Sequence, residues 1–238
     1  MDRPDTFVRR PPDRIGRMDS SIIQTFAVYA LPVLFAITLH EAAHGYVAKF
    51  FGDNTAWLLG RVSLNPVRHI DPIGTVAVPL LLYFLTAGQF VFGFAKPVPV
   101  VFSHLRNPRW HGMWVALAGP VSNIVQAFVW ALLLVGLRWS GVQEPFWGKM
   151  ALAGVLVNTV VAAFNLFPIP PLDGGRVLTA FLPQRVAAAV SRIEPYGIFV
   201  VLALLAAGVI TKIWMQPVMN FLLSIVDLML RPVQLLLQ

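Results

Sequence analysis

His40-Glu41-Ala42-Ala43-His44 follows directly on an uncharged apolar run, residues 21–39 (SIIQTFAVYALPVLFAITL). An ionisable group at the centre of a bilayer-spanning helix costs roughly 2.5–3.5 kcal/mol on insertion scales, so such residues face a protein interior and usually have a task there. Positions i and i+4 share one face of a helix. That brings both imidazoles to a single metal ion, with Glu41 beside them to take a proton from water. The plainer alternative is a pair of buried histidines hydrogen-bonded to neighbouring helices.

The rest of the chain supplies the membrane. It is 57% hydrophobic and only 12% charged, far from the balance of a soluble domain. Its mean hydropathy is +0.71. Several uncharged stretches reach the length that crosses about 30 Å of hydrocarbon. The net charge of +7 then reads as loops and headgroup contacts, not as nucleic-acid binding. With no cysteine, thiolate zinc sites and iron–sulfur clusters are excluded, and any metal must be held by histidine and carboxylate.

Apolar runs and breakers predict an all-α polytopic membrane protein of about five to six membrane-embedded helical segments. A small β-hairpin or re-entrant element is expected between the first span and the 112–137 span. Residues 1–20, which mix Arg, Asp and Pro, read as a disordered or interfacial tail and not as a cleavable signal peptide. Spans are expected over 21–50, kinked at Pro32, and over 112–137, 149–167 and 196–215, with a shorter helix over 174–190. Residues 53–71 suggest short strands or a hairpin. Lys96-Pro97-Val98-Pro99-Val100 suits an edge strand, and 72–92 carries Pro72, Gly74, Pro79 and Gly88. The membrane domain runs over 21–215. Residues 216–238 form an amphipathic helix lying at the interface or packing its polar stripe of Asn220, Ser224, Asp227 and Arg231 against protein; a final span is the alternative.

Charge sets the orientation. Segments 49–110 and 168–192 hold nine Lys and Arg, whereas the connections near 138–149 and 212 hold three. The positive-inside rule places the first group in the cytoplasm, which requires 72–92 to enter and leave on one side as a re-entrant segment. The five arginines of the tail favour the opposite arrangement, with a full crossing at 72–92.

A hydrolytic zinc site needs a third protein ligand and an open fourth position. Asp173 is the candidate, between the helix breakers Pro168-Ile169-Pro170-Pro171 and the pair Gly174-Gly175. A loop Asp capping the following helix is the other reading, and the two are compatible.

Three ordered motifs carry a resemblance. His40-Glu41-Ala42-Ala43-His44, Ala118-Gly119-Pro120-Val121-Ser122-Asn123, and Phe164 to Arg176 (FNLFPIPPLDGGR) together resemble the site-2 protease family of intramembrane zinc metallopeptidases. Gly52-Asp53-Asn54-Thr55-Ala56 and the segments 60–66 and 96–100 look like its compact branch, without PDZ or nucleotide-binding domains; the similarity covers about 30–185. The resemblance implies one zinc held by His40, His44 and Asp173, with Glu41 activating water to cut membrane-embedded protein substrates in a lipid bilayer. It also implies a site toward the cytoplasmic side of a prokaryotic cell membrane and an outside N-terminus. The acidic motif lacks the Asn that directly precedes its Pro in some members, and Asn165 is expected to take that polar role. Substrate identity and oligomeric state do not carry over.

Asn123 and Asn165 are candidates to hold the substrate backbone or the developing oxyanion, or else to bond neighbouring helices. The pieces at 60–66 and 97–101 suit β-addition of an unwound substrate. His69, His104 and His111 read as loop or interfacial residues, and Arg176 as a headgroup contact at a helix start. Two rival classes are an ion-coupled transporter and a non-catalytic scaffold for membrane helices. The transporter does not explain a glutamate lodged between two i, i+4 histidines.

Overall fold

A computed structural model describes residues 14–85, 93 and 95–237. Among these, nine α-helices are joined by short 3-10 and π-helical pieces and irregular segments, and none forms a strand. The first helix, α1 (Arg14–Phe50), contains a buried Pro32. A four-residue α2 (Thr55–Leu58) and the short α3 (Val78–Leu85) precede α4 (Pro108–Trp139) and α5 (Pro145–Asn165). Both long helices start with proline at the first turn behind a side-chain cap. Asn107 accepts from Trp110 N–H and Glu144 from Phe146 N–H. Then come α6 (Asp173–Phe181), α7 (Gln184–Ser191), α8 (Glu194–Ala206) and α9 (Gln216–Leu236).

α1, α4 and α5 form the central bundle, and small residues let them approach. Ala36, Ala48, Ala127, Ala131, Ala151 and Ala162 are fully or nearly fully buried. α9 lies on the outer side of this bundle. Its Val226 and Leu230 pack with Ala127, Ala131 and Val155, and Leu222 packs with Ala162 and Ala163. Four segments are long and apolar enough to cross a membrane: Ile23–Phe50, Pro108–Trp139, Pro145–Asn165 and Ile210–Leu236. A fifth results if α7 and α8, bent by 71°, count as one broken span. This is an integral membrane protein.

Three expectations change. No hairpin forms at 53–71 or 96–100. Pro97 and Pro99 lack N–H groups, and the N–H groups of Val98 and Val101 go to side-chain carboxylates instead of a neighbouring strand. The 196–215 span is broken after Ala206, where Gly208 takes φ +71°, and Ile210–Met215 continues instead as a π-helical turn into α9. Of the two placements expected for 216–238, packing of the polar stripe on protein is not the one found: Asn220, Ser224, Asp227 and Arg231 of α9 are exposed and its apolar side packs on protein. In the 72–92 segment, Pro72–Ala77 and α3 are helical, whereas 86–92 lies outside the described residues.

Candidate active site

α1 presents two functional faces. His40 and His44, both buried, point toward α4 and the start of α6, and Glu41 and Gly45 stand on the adjacent face. Opposite the imidazoles stands Gly119 of α4. A Cβ there would lie 2.5 Å from His40 Cε1 and from His44 Nε2, so the absent side chain makes the space in which the rings meet.

Hydrogen bonds fix both ring tautomers. His44 Nδ1 is 2.7 Å from the Val115 carbonyl, which can only accept, so Nδ1 carries the proton. His40 Nδ1 faces Asn123 Oδ1 at 2.6 Å. The orientation of that amide is forced in turn, because its Nδ2 donates to the Ala36 carbonyl at 3.0 Å and to Asn158 Oδ1 at 2.9 Å. Asn158 Nδ2 donates to the Gly154 carbonyl at 2.9 Å, closing the chain. In the neutral rings this leaves each Nε2 as a lone pair, as metal ligation requires.

The two Nε2 atoms lie 3.1 Å apart, and Asp173 Oδ2 lies 3.2 Å from one and 3.5 Å from the other. Asp173 Oδ2 is buried and has no hydrogen-bond partner. Three electron-rich atoms pressed together this closely repel unless a proton or a metal ion sits among them. A tetrahedral site with metal–ligand bonds near 2.0–2.1 Å has ligand–ligand edges of about 3.3 Å, so the donor set fits a zinc ion. His40, His44 and Asp173 are the only such metal-binding group among the described residues.

Asp173 reaches this point because the chain turns sharply after α5. Gly174 and Gly175 lie against the backbone of Leu166–Pro170, where a Cβ would collide with main-chain atoms. The cap of α6 falls on Leu172 with no side-chain bond, so the carboxylate of Asp173 turns to the imidazoles and not to the helix end.

Glu41 Oε2 accepts the backbone N–H of Val98 at 2.8 Å. Asn123 is fully buried with both amide hydrogens committed, so it has no donor left for the substrate contact expected of it. Asn165, half-buried, spends one amide hydrogen on the Val161 carbonyl at 3.0 Å. The other histidines stay away from the metal group. His69 is buried, against expectation, and bonds Ser63 O; His104 is exposed near Asp53; His111 stacks on Phe51. Arg176 meets Glu194 at 2.7 Å and lies over the Phe102 ring, a protein contact in place of the expected headgroup contact. Sequence reasoning passed over Asn158 and Val98. Asn158-Thr159 is the polar interruption of an apolar span, a visible signal, whereas a backbone N–H leaves none.

Similarity to known proteins decides the family. YwhC of Bacillus subtilis, with zinc metalloprotease in its name, is 39% identical over 73% of this chain and 78% of its own length. The chain belongs to peptidase family M50. The model of that family matches residues 140–208, which include Asp173. Rip2 of Mycolicibacterium smegmatis, also carrying zinc metalloprotease in its name, is 29% identical over 81% of this chain and 71% of its own length. Zinc metalloprotease MJ0392 of Methanocaldococcus jannaschii is 24% identical over 71% of this chain and 38% of its own length. No solved structure matches the chain. As an M50 member of the site-2 protease type it is a zinc metalloprotease.

Proposed function

We propose that this M50 protease is an intramembrane endopeptidase that hydrolyses peptide bonds within or near transmembrane helices of membrane-protein substrates. A single zinc is held by His40, His44 and Asp173. The observation that carries this is the convergence of three bare donor atoms, edges 3.1–3.5 Å, between helices long and apolar enough to cross a bilayer.

When bound there, zinc supplies a Lewis acid that acidifies water and polarises the scissile carbonyl. Glu41 takes the proton of the attacking water and delivers it to the departing amide nitrogen. Its Oε2 is fixed by Val98 N–H, which leaves the second oxygen for that proton. Asn123 and Asn158 hold His40 in the tautomer that exposes Nε2, a positioning role. Of the two candidate asparagines, Asn165 is the one left to meet a substrate backbone, with one amide hydrogen to give. Residues 96–101 offer little to a pairing substrate strand on the side of Val98 and Val101, whose N–H groups are already given to Glu41 and Asp53.

The site opens toward the cytoplasm in this reading. Lys49, Arg61, Lys96, Arg106, Arg109 and Arg176 lie in the segments at the His44 end of the bundle. Lys212 joins them, because the neighbouring Trp214 donates to Ala163 O near the end of α5; Arg138 and Lys149 flank the opposite end.

The test compares membranes carrying wild type or Glu41→Gln, with proteomics reading which single-pass proteins persist uncleaved. Glu41→Gln is expected to abolish cleavage with zinc still bound. Turnover retained by that variant overturns the reading.

A further inference from the structure

Asp53 is a buried carboxylate, 1% exposed, that the reaction above does not use. Its place is set by the end of α1. Gly52 takes φ +115°, Gly52 N–H bonds Lys49 O at 3.1 Å and Asp53 N–H bonds Ala48 O at 2.9 Å, the paired bonds of a Schellman ending. Asp53 Oδ1 accepts from Thr55 N–H at 3.0 Å and Thr55 Oγ1 at 2.5 Å, and Oδ2 accepts from Val101 N–H at 2.7 Å.

Val101 closes the segment that also meets Glu41. Residues 96–101 run as a strap along α1: Lys96 N–H bonds His69 O, Arg61 bonds the carbonyls of Lys96 and Pro97, Val98 N–H bonds Glu41, and Val101 N–H bonds Asp53. Pro97 and Pro99 fix φ on either side of Val98, so the strap moves as a stiff piece. It presses close. Gly45, one turn past Glu41 on the same face, has Val62 Cγ2 and Val98 Cγ1 at 2.6 and 3.2 Å from where a Cβ would stand.

We infer that Asp53 is a positioning residue for hydrolysis: by holding Val101 it seats the strap on α1, and Val98 N–H thereby fixes the carboxylate of Glu41. The inference rests on the reading of Glu41 as the base. Val98 and Val101 are referred to α1 and to the turn that ends it, so the base is positioned against the same helix that carries His40 and His44.

The full chain, purified into nanodiscs and loaded with zinc, tests this on a single-span protein that accumulates in the Glu41→Gln membranes. Cleavage is normalised to bound zinc. Asp53→Ala is expected to lower kcat about 10- to 100-fold at unchanged KM, the scale of a slightly misplaced catalytic group. An unchanged kcat per zinc, or a loss carried by KM, overturns the inference. If Asp53→Ala does not fold, Val101→Pro removes the same bond while leaving Asp53 with Thr55; normal kcat there also overturns it. Wild type and Glu41→Gln in the same assay separate the two readings, since equal turnover by both defeats the proposed base and not the strap alone.

Discussion

His40 and Glu41 are neighbours in sequence, yet opposite kinds of structure hold them. Behind His40 stands regular helix: Asn123 of α4 and Asn158 of α5 pass a chain of hydrogen bonds from the Gly154 carbonyl to the imidazole, all in the interior. Behind Glu41 stands irregular backbone, a proline-braced strap tied to loops. The difference matches the roles proposed for the two groups. A ligand must hold one geometry, which packed helices enforce, whereas a base must exchange protons beside an arriving substrate, where irregular backbone leaves an approach.

The helical side breaks hardest. Gly119→Ala places a methyl where the two imidazoles meet, so bound zinc is expected to fall to background and cleavage with it; metal analysis of the purified protein reads this directly. Next in size is Asn158→Leu, which removes the acceptor for Asn123 Nδ2 and frees that amide to turn. Zinc affinity measured by chelator competition is expected to fall about 10- to 100-fold, as for other groups that orient a ligand. An affinity equal to wild type breaks the claim that the asparagine pair serves His40.

The strap side yields a smaller effect, read in stability. Burial pushes the Asp53 carboxyl up, but bonds from the Thr55 hydroxyl, Thr55 N–H and Val101 N–H, with the His104 ring beside it, outweigh it and hold the group below its ordinary value of 3.8. A depressed folded value means the folded state favours the charged form. That stabilisation is present above the unfolded value and lost as pH falls through the folded one. Denaturation followed between pH 5 and about 2 is expected to show an acid loss that Asp53→Asn reduces. A variant with the wild-type acid profile removes Asp53 from the account of the strap.

Much of the metal group is legible in the sequence, because its logic is local. The i, i+4 spacing of His40 and His44 fixes a shared face, and charge inside an apolar run marks the residues as functional. Asp173 is legible less directly, since spacing alone leaves it equally a helix cap. The strands expected at 53–71 and 96–100 fail for a reason that sequence pattern does not carry: β-like residues form a sheet only if their N–H groups find a partner strand. Here two of them find Glu41 and Asp53. Asn123 shows the same limit. Its place in the span is plain, but its duty to His40 and not to a substrate depends on Asn158, from another helix.

By itself the sequence determined the solvent and the donor set: a chain this apolar belongs in lipid, and without cysteine its metal falls to histidine and carboxylate. Tertiary structure alone decided that three donors from α1 and α6 meet, and that the backbone of Val98 reaches Glu41. Those outcomes turn on the directions of hydrogen bonds between segments far apart in the chain, and direction is a property of packing that no local pattern of residues encodes.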